Sequence, residues 1–401
     1  MKHFSKKKAA AVLALVLCAA FLLPGCASRG PADKGESSVQ QNMSIPNHLA
    51  VRQDDVLYFT EMPEDSRLGM IYALDLASGE VMPLCSKPDC THDSKDCGGY
   101  FDFNGRFTNI TVYNGELYWV NTDYNVDGGD MSVGPWLYRQ RTDGTGREKV
   151  MALDPEFEQF SEAFCGIYDG KLYRCGYCQG VIDDAPASYA VVYSRELQKG
   201  SDPKEIYRFD ASETEDVSRL YTLARMNGGV LYFAIYKGTD NGYLMDLFAY
   251  DMENDELEQL YSGASRSPAG DMFYRDGKLI FHVGFGSDAV YAYSIEKNRF
   301  DRIYGLADTG SVVMGGETML EIYSMTGYRV YDLRGNLLFE GERDLSQFHE
   351  ERQAKQYVGC VDDVFYFYED SMGGDGPRYN YLVSYNGKTG EFKKLWETPG
   401  K

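Results

Sequence analysis

One pattern recurs along most of this chain and constrains its fold more than any other feature. An apolar stretch meets a tight Gly, Asn or Asp turn, and then a strand that opens Leu-Tyr or its equivalent. A variable loop follows, then a second Leu-Tyr or Val-Tyr strand, another tight turn and a short last strand. The first-strand anchors are Leu57-Tyr58-Phe59, Leu117-Tyr118-Trp119, Leu172-Tyr173, Leu231-Tyr232-Phe233, Leu279-Ile280-Phe281, Met319-Leu320 and Val364-Phe365-Tyr366. They stand 40 to 60 residues apart, about 51 on average, a period that signals repeated supersecondary units. Their partners begin at Ile71, Leu137, Val192, Leu247, Val290, Val330 and Leu382. Asn114-Gly115, Asp169-Gly170, Gly228-Gly229 and Asp276-Gly277 sit just before anchors, with the chemistry that two-residue hairpins require.

A four-stranded unit has a face it cannot cover alone, and a ring of such units buries each face against a neighbour. Seven units at this period predict an all-β chain folded as a single β-propeller of seven four-stranded blades, with six or eight blades as the alternative count. The sixth unit is short and carries Glu321 where an aromatic is expected. The 32 Tyr, 21 Phe and 42 Gly favour strands and turns over helices. No segment keeps a 3.6-residue apolar period, which argues against a helical solenoid. Two stacked sandwiches would call for a break in composition near the middle, and there is none.

The first 25 residues differ from the rest. Lys2, Lys6, Lys7 and Lys8 precede an apolar run from Ala9 to Leu23, a secretory signal too short for a comfortable membrane span. The run ends in Leu23-Pro24-Gly25-Cys26. Residues 26–47 lack aromatic residues and are rich in Ser, Gly, Gln and Asn, the composition of a flexible stalk. The expected organisation is therefore a signal peptide at 1–25, a stalk at 26–47 and the propeller at 48–401. Formal charge is −21, and near −25 without the four signal lysines. Such a surface repels phosphate backbones and excludes nucleic acid as a partner.

Residues 48–401 resemble the TolB-like and related propeller lipoproteins of Gram-positive gut bacteria. The shared features are Leu23-Pro24-Gly25-Cys26, blade phrases such as Asp169-Gly170-Lys171-Leu172-Tyr173 and Leu247-Phe248-Ala249-Tyr250-Asp251, and a cysteine-rich insert. The resemblance implies a propeller held at the extracytoplasmic face of the cell membrane by lipid on Cys26. It carries over no catalytic residue.

Propeller topology puts the long loops of every blade at one end of the ring, and variable loops on a rigid scaffold are where binding concentrates. These loops hold Glu61, Glu64, Asp65, Asp123, Asp127, Asp130, Asp183, Asp184, Asp240, Asp288, Glu369, Asp370 and Asp375. Tyr124, Trp136, Tyr236, Tyr243, Phe285 and Tyr379 lie in or beside them. The face reads as a solvated acidic rim, or as a bowl for a cation, a basic peptide or a sugar. Its acids do not follow the spacing of a calcium loop.

The most specific local pattern is Cys85-x4-Cys90-x-His92-x4-Cys97, expected in the crossing from blade one to blade two on the long-loop face. Three thiolates and an imidazole form a Cys3His set suited to structural zinc. Oxidising surroundings offer a disulfide staple as the alternative, with Cys178 as an outside partner, and a reactive thiol is a third reading. Seven cysteines remain after Cys18 and Cys26, so they cannot all pair within one chain.

No Gly-x-Ser-x-Gly elbow, Walker loop or paired-His hydrolase motif occurs, and none of the five histidines lies near such a motif. The expected function is a surface-anchored, non-catalytic binding or scaffold module for a protein, peptide or glycan. The alternative is a glycan hydrolase or lyase with carboxylates facing each other over the channel.

Overall fold

The computed structural model describes residues 50–61, 68–92, 96–102, 108–122, 135–153, 160–182, 185–211, 219–265, 267–283, 289–305, 311–324, 326–349, 354–370 and 379–399. The chain divides into two units, 1–34 and 35–401, and all described residues belong to the second. The expected signal peptide, Cys26 and the stalk lie outside them. So do many of the long-loop residues.

The fold is a seven-bladed β-propeller of antiparallel four-stranded sheets. All seven anchors fall on second strands, where Leu57, Leu117, Leu172, Leu231, Leu279, Met319 and Phe365 are each 0% exposed. The turns form as their residues dictate. Asn114-Gly115, Asp169-Gly170, Asp276-Gly277 and Asp362-Asp363 all have positive φ at both positions, the geometry that joins twisted strands through two residues. In blade six Glu321 is buried, accepts from the Tyr331 hydroxyl at 2.7 Å and pairs with Arg329 at 3.7 Å. The irregular residue is thus satisfied in place.

Seven hydrophobic clusters join successive blades. Leu84, Ile110 and Trp119 belong to the seam between blades one and two; Val120 and Ile167 to that between two and three; Ala190 and Phe233 to three and four. Leu247 and Phe281 follow at four and five, Val290 and Met319 at five and six, Leu320 and Phe367 at six and seven. The last seam, between blades seven and one, includes Ala50, Phe59, Tyr72, Cys97, Tyr366 and Leu382. Each sheet is made of consecutive strands. The chain therefore crosses six seams covalently, and among the described residues the seventh is closed without strand exchange.

Blade one departs from the others. It contains β1 (Ala50–Gln53), β2 (Val56–Glu61), β3 (Leu68–Asp75) and an outer strand in two pieces, β4 (Val81–Pro83) and β5 (Tyr100–Asp102). Both pieces pair with β3: Tyr72 faces Pro83, and Met70 faces Tyr100. Between them Ile71 donates its N–H to the Gly99 carbonyl and accepts from the Leu84 N–H, both at 2.8 Å. One residue thus closes the neck of a loop spanning 85–98.

The other blades explain why the break falls there. Blades two, three, four, five and seven each carry a β-bulge after Leu137, Val192, Leu247, Val290 and Leu382 respectively. Each of these lies three residues before the residue paired with the anchor, as Ile71 does in blade one. In blade six the bulge follows Val330, two residues later in the same frame. A bulge is a place where the ladder is already interrupted. An insertion there disrupts no further hydrogen bonds.

Candidate metal centre

The insert is therefore an excursion from the outer strand of blade one. It is not the expected crossing between blades one and two, and it leaves the ring mid-strand instead of from the long-loop end. Chain on both sides of the insert belongs to one ladder, because Val81–Pro83 and Tyr100–Asp102 both pair with β3.

Within this loop the sequence pattern converges. One ligand atom from each of Cys85, Cys90, His92 and Cys97 lies within 4.8 Å of every other. The Nδ1 of His92 stands 3.3 Å from the Sγ of Cys97. Tetrahedral zinc with ordinary bond lengths separates sulfurs by about 3.8 Å and a sulfur from a nitrogen by about 3.6 Å. The set fits one such ion after side-chain shifts of about an ångström. The cysteines of the insert form no disulfide.

Two turns bring the donors round. Asp89 and His92 both have left-handed backbone, with φ of 56° and 54°, a conformation more open to Asp and His than to most residues. The left-handed turn at His92 does the work. Lys87 Nζ donates to the Asp96 carbonyl across the loop.

Backbone amides surround the sulfurs. The Gly98 N–H donates to Cys85 Sγ at 3.4 Å. Burial acts against ionisation of Cys85, but the amides of Lys87 and Gly98 together with the neighbouring Cys90 and Cys97 outweigh it and hold this thiol below its usual value. Cys97 is only 2% exposed, and burial pushes it up to about 11 against the Gly99 amide, with Cys85 and Cys90 adding to the rise. Amides aimed at sulfur stabilise thiolates and orient them, the part played by outer-shell groups around a metal. A divalent cation among these atoms would reverse the preference of Cys97.

Blade two holds the loop from the other side. Arg147 donates to the Cys97 carbonyl at 2.9 Å and also to that of Gly98, and Gln140 Nε2 donates to Gly98 at 2.7 Å. The backbones meet closely. A Cβ on Gly98 would lie 2.4 Å from the Gly144 carbonyl oxygen, and one on Gly144 would lie 2.5 Å from that of Leu84. Sequence reasoning missed Gln140, Gly144 and Arg147, which stand more than 40 residues downstream. The Gly98-Gly99 pair was the available signal.

Cys178 is not brought to the set. It is buried on the second strand of blade three (Lys171–Ile182) in a cluster with Tyr189, Val191 and Tyr193.

The long-loop face is less fully described. Glu64, Asp65, Asp123, Asp127, Asp130, Asp183, Asp184, Asp288, Asp375, Tyr124 and Phe285 lie outside the described residues, as do the side chains of Glu61 and Asp370. Two expected members of the face are turned inward. Glu369 is 0% exposed and pairs with buried Arg343, and Tyr236 is 2% exposed. Trp136, Tyr243 and Tyr379 are half-buried, and each has a partner. Lys149 lies over Trp136, Tyr221 packs edge-on against Tyr243, and His349 stacks on Tyr379 at 4.2 Å.

No family model matches the chain, and no curated protein matches it by sequence. Solved structures align along most of its length at low identity. The β-propeller domain of the Trilobed protease from Pyrococcus furiosus aligns over 89% of this chain and 98% of that one, at 8% identity and a TM-score of 0.48. Sqt1 from Saccharomyces cerevisiae aligns over 88% and 85% at 9% identity and 0.45. BamB from Moraxella catarrhalis aligns over 81% and 95% at 8% identity and 0.37. At these values the comparison is one of general form and carries nothing about activity.

Proposed function

We propose that this chain is a lipoprotein whose propeller serves as a non-catalytic binding or scaffold module, tethered through Cys26 to the extracytoplasmic face of the cell membrane, with a structural zinc ion in its first blade. The observation that carries the non-catalytic reading is the donor set itself. Cys85, Cys90, His92 and Cys97 supply four protein ligands around one point, and a tetrahedral site filled by protein keeps no position for water or substrate. The site's chemistry is to fix a loop whose described residues between Leu84 and Gly99 have no regular secondary structure. The signal-like residues 1–25 and Cys26 support the address, and the acid-rich long loops support a cationic, peptide or glycan ligand.

The test is an array of glycans and peptides probed with the purified full chain in detergent. Saturable capture of one ligand class, without turnover, is the expected result. Cleavage of an arrayed glycan would overturn the reading in favour of carboxylate catalysis over the channel.

A further inference from the structure

We propose that the metal site of blade one is the clasp of the ring: metal bound by Cys85, Cys90, His92 and Cys97 holds the seam between blades seven and one shut. This inference rests on the structural-metal reading and adds where in the molecule the ion acts.

Three observations meet at this seam. First, among the described residues it is the one junction without a chain crossing, because the first described strand, Ala50–Gln53, belongs to blade one and the last, Phe392–Pro399, to blade seven, and neither pairs into the other sheet. Six junctions are covalent; this one relies on side chains. The aromatic pair Tyr72–Trp396, with ring centroids 4.9 Å apart, and the ion pair Arg52–Asp362 at 3.2 Å span it. The ion pair is partly exposed and contributes little.

Second, the insert belongs to the same packed cluster. Buried Cys97 is a member alongside Val358, Val361, Tyr366, Tyr368 and Leu382 of blade seven, and Cys85 and Cys90 pack against that cluster with Trp396. Third, the back of the insert is fixed to blade two by Arg147, Gln140 and the close approach at Gly144. The loop is thus braced against one neighbour while its sulfurs lie in the seam shared with the other.

The mechanics follow from elementary loop thermodynamics. The described residues of 85–98 bury little besides Cys97, so ordering them costs conformational entropy with small return from apolar burial. Metal coordination offsets that cost and replaces the missing core. With the ion bound, Cys97 and its neighbours keep one arrangement against blade seven. Without it the loop loosens, and the seam that has no covalent crossing opens first, as a sub-global event and not as general unfolding.

Hydrogen exchange on the purified full chain in detergent tests this, with zinc alone as the probe, added to metal-free protein at one equivalent and removed again with a chelator. The expected result is that zinc slows exchange by about tenfold or more in residues 50–61 and 354–399, while blades four and five (220–305) change little. The double variant Cys90→Ser with His92→Ala, altering two of the three half-buried ligands, should exchange like the metal-free chain whether or not zinc is present. Protection spread evenly over all seven blades would overturn the clasp, and so would protection confined to 84–99. Either of those results leaves the structural-metal reading standing. Failure of zinc to bind would overturn that reading first, and the clasp with it.

Discussion

Blades one and four meet the same position in their outer ladders differently. In blade four Leu247 faces Tyr261 and Phe248 faces Gln259, so one residue, Leu260, makes the bulge. In blade one the corresponding gap opposite Ile71 runs from Leu84 to Gly99 and contains the four candidate donors Cys85, Cys90, His92 and Cys97. The flanking pairs are unchanged in kind. A propeller can therefore gain a site at a bulge without altering its ring, because the hydrogen bonds an insertion would break are already absent.

The seams beside these two blades differ in a related way. The junction of blades four and five is crossed by the chain, carries the buried pair Arg225–Asp271 at 2.5 Å, and stacks Tyr232 on Tyr274 with centroids 5.6 Å apart. The junction of blades seven and one has no crossing and has the insert. Where one seam has covalent continuity, the other has a loop carrying the Cys3His donor set.

Four experiments sharpen or break it. The largest effect is expected from metal removal. Chelation should cost the folded chain about 3–5 kcal/mol, less than the 10–16 kcal/mol of an isolated zinc finger because the rest of the blade folds without the ion. Calorimetry with and without chelator measures this, and an unchanged melting curve would break the comparison.

Next comes Gly98→Ala, which drives a methyl group into the Gly144 carbonyl and should cost about 1–3 kcal/mol by overpacking. Gly170→Ala, with nothing within 4 Å but a φ of +73°, is its control in a regular turn and should lose only about 1 kcal/mol from backbone strain. Denaturant midpoints for the two variants give the order; an equal or reversed order would show that the insert's neck is loose.

Alkaline titration compares the seams directly. Burial raises the hydroxyls of Tyr366, at the seam of blades seven and one, and Tyr232, at that of four and five, each to about 12. A folded value above the unfolded one means a contribution that is complete below about pH 10 and lost as pH rises toward 12. With zinc bound, the two should ionise together. In the metal-free chain Tyr366 should ionise first, read as the tyrosinate absorbance missing from Tyr366→Phe and Tyr232→Phe. The smallest effect is expected from Arg52→Ala, which removes an exposed ion pair across the seam and should cost no more than about 0.5 kcal/mol at moderate salt. A larger loss would mean that charge, and not packing with metal, holds the seam.

Much of the ring was legible in the sequence because its signals are local. An anchor such as Leu231-Tyr232-Phe233 announces its strand, and Asp276-Gly277 can hardly be other than a hairpin turn. The four metal donors were legible for the same reason, lying within 13 residues of one another. What escaped was long-range. The position of the insert depends on both of its ends pairing with β3, and nothing in residues 81–102 states that partnership. The support from Gln140, Gly144 and Arg147 depends on how two blades pack. Glu369 reads as a surface acid until Arg343, 26 residues earlier, is seen to bury it.

Metal stoichiometry and thiol state, measured together on the full chain purified without chelator or added metal, test the metal centre most directly. Native mass spectrometry with thiol alkylation should find one zinc ion per chain, with Cys85, Cys90 and Cys97 reduced and protected from alkylation until the metal is stripped. A chain without metal in which two of these cysteines are joined to each other or to Cys178 would contradict it.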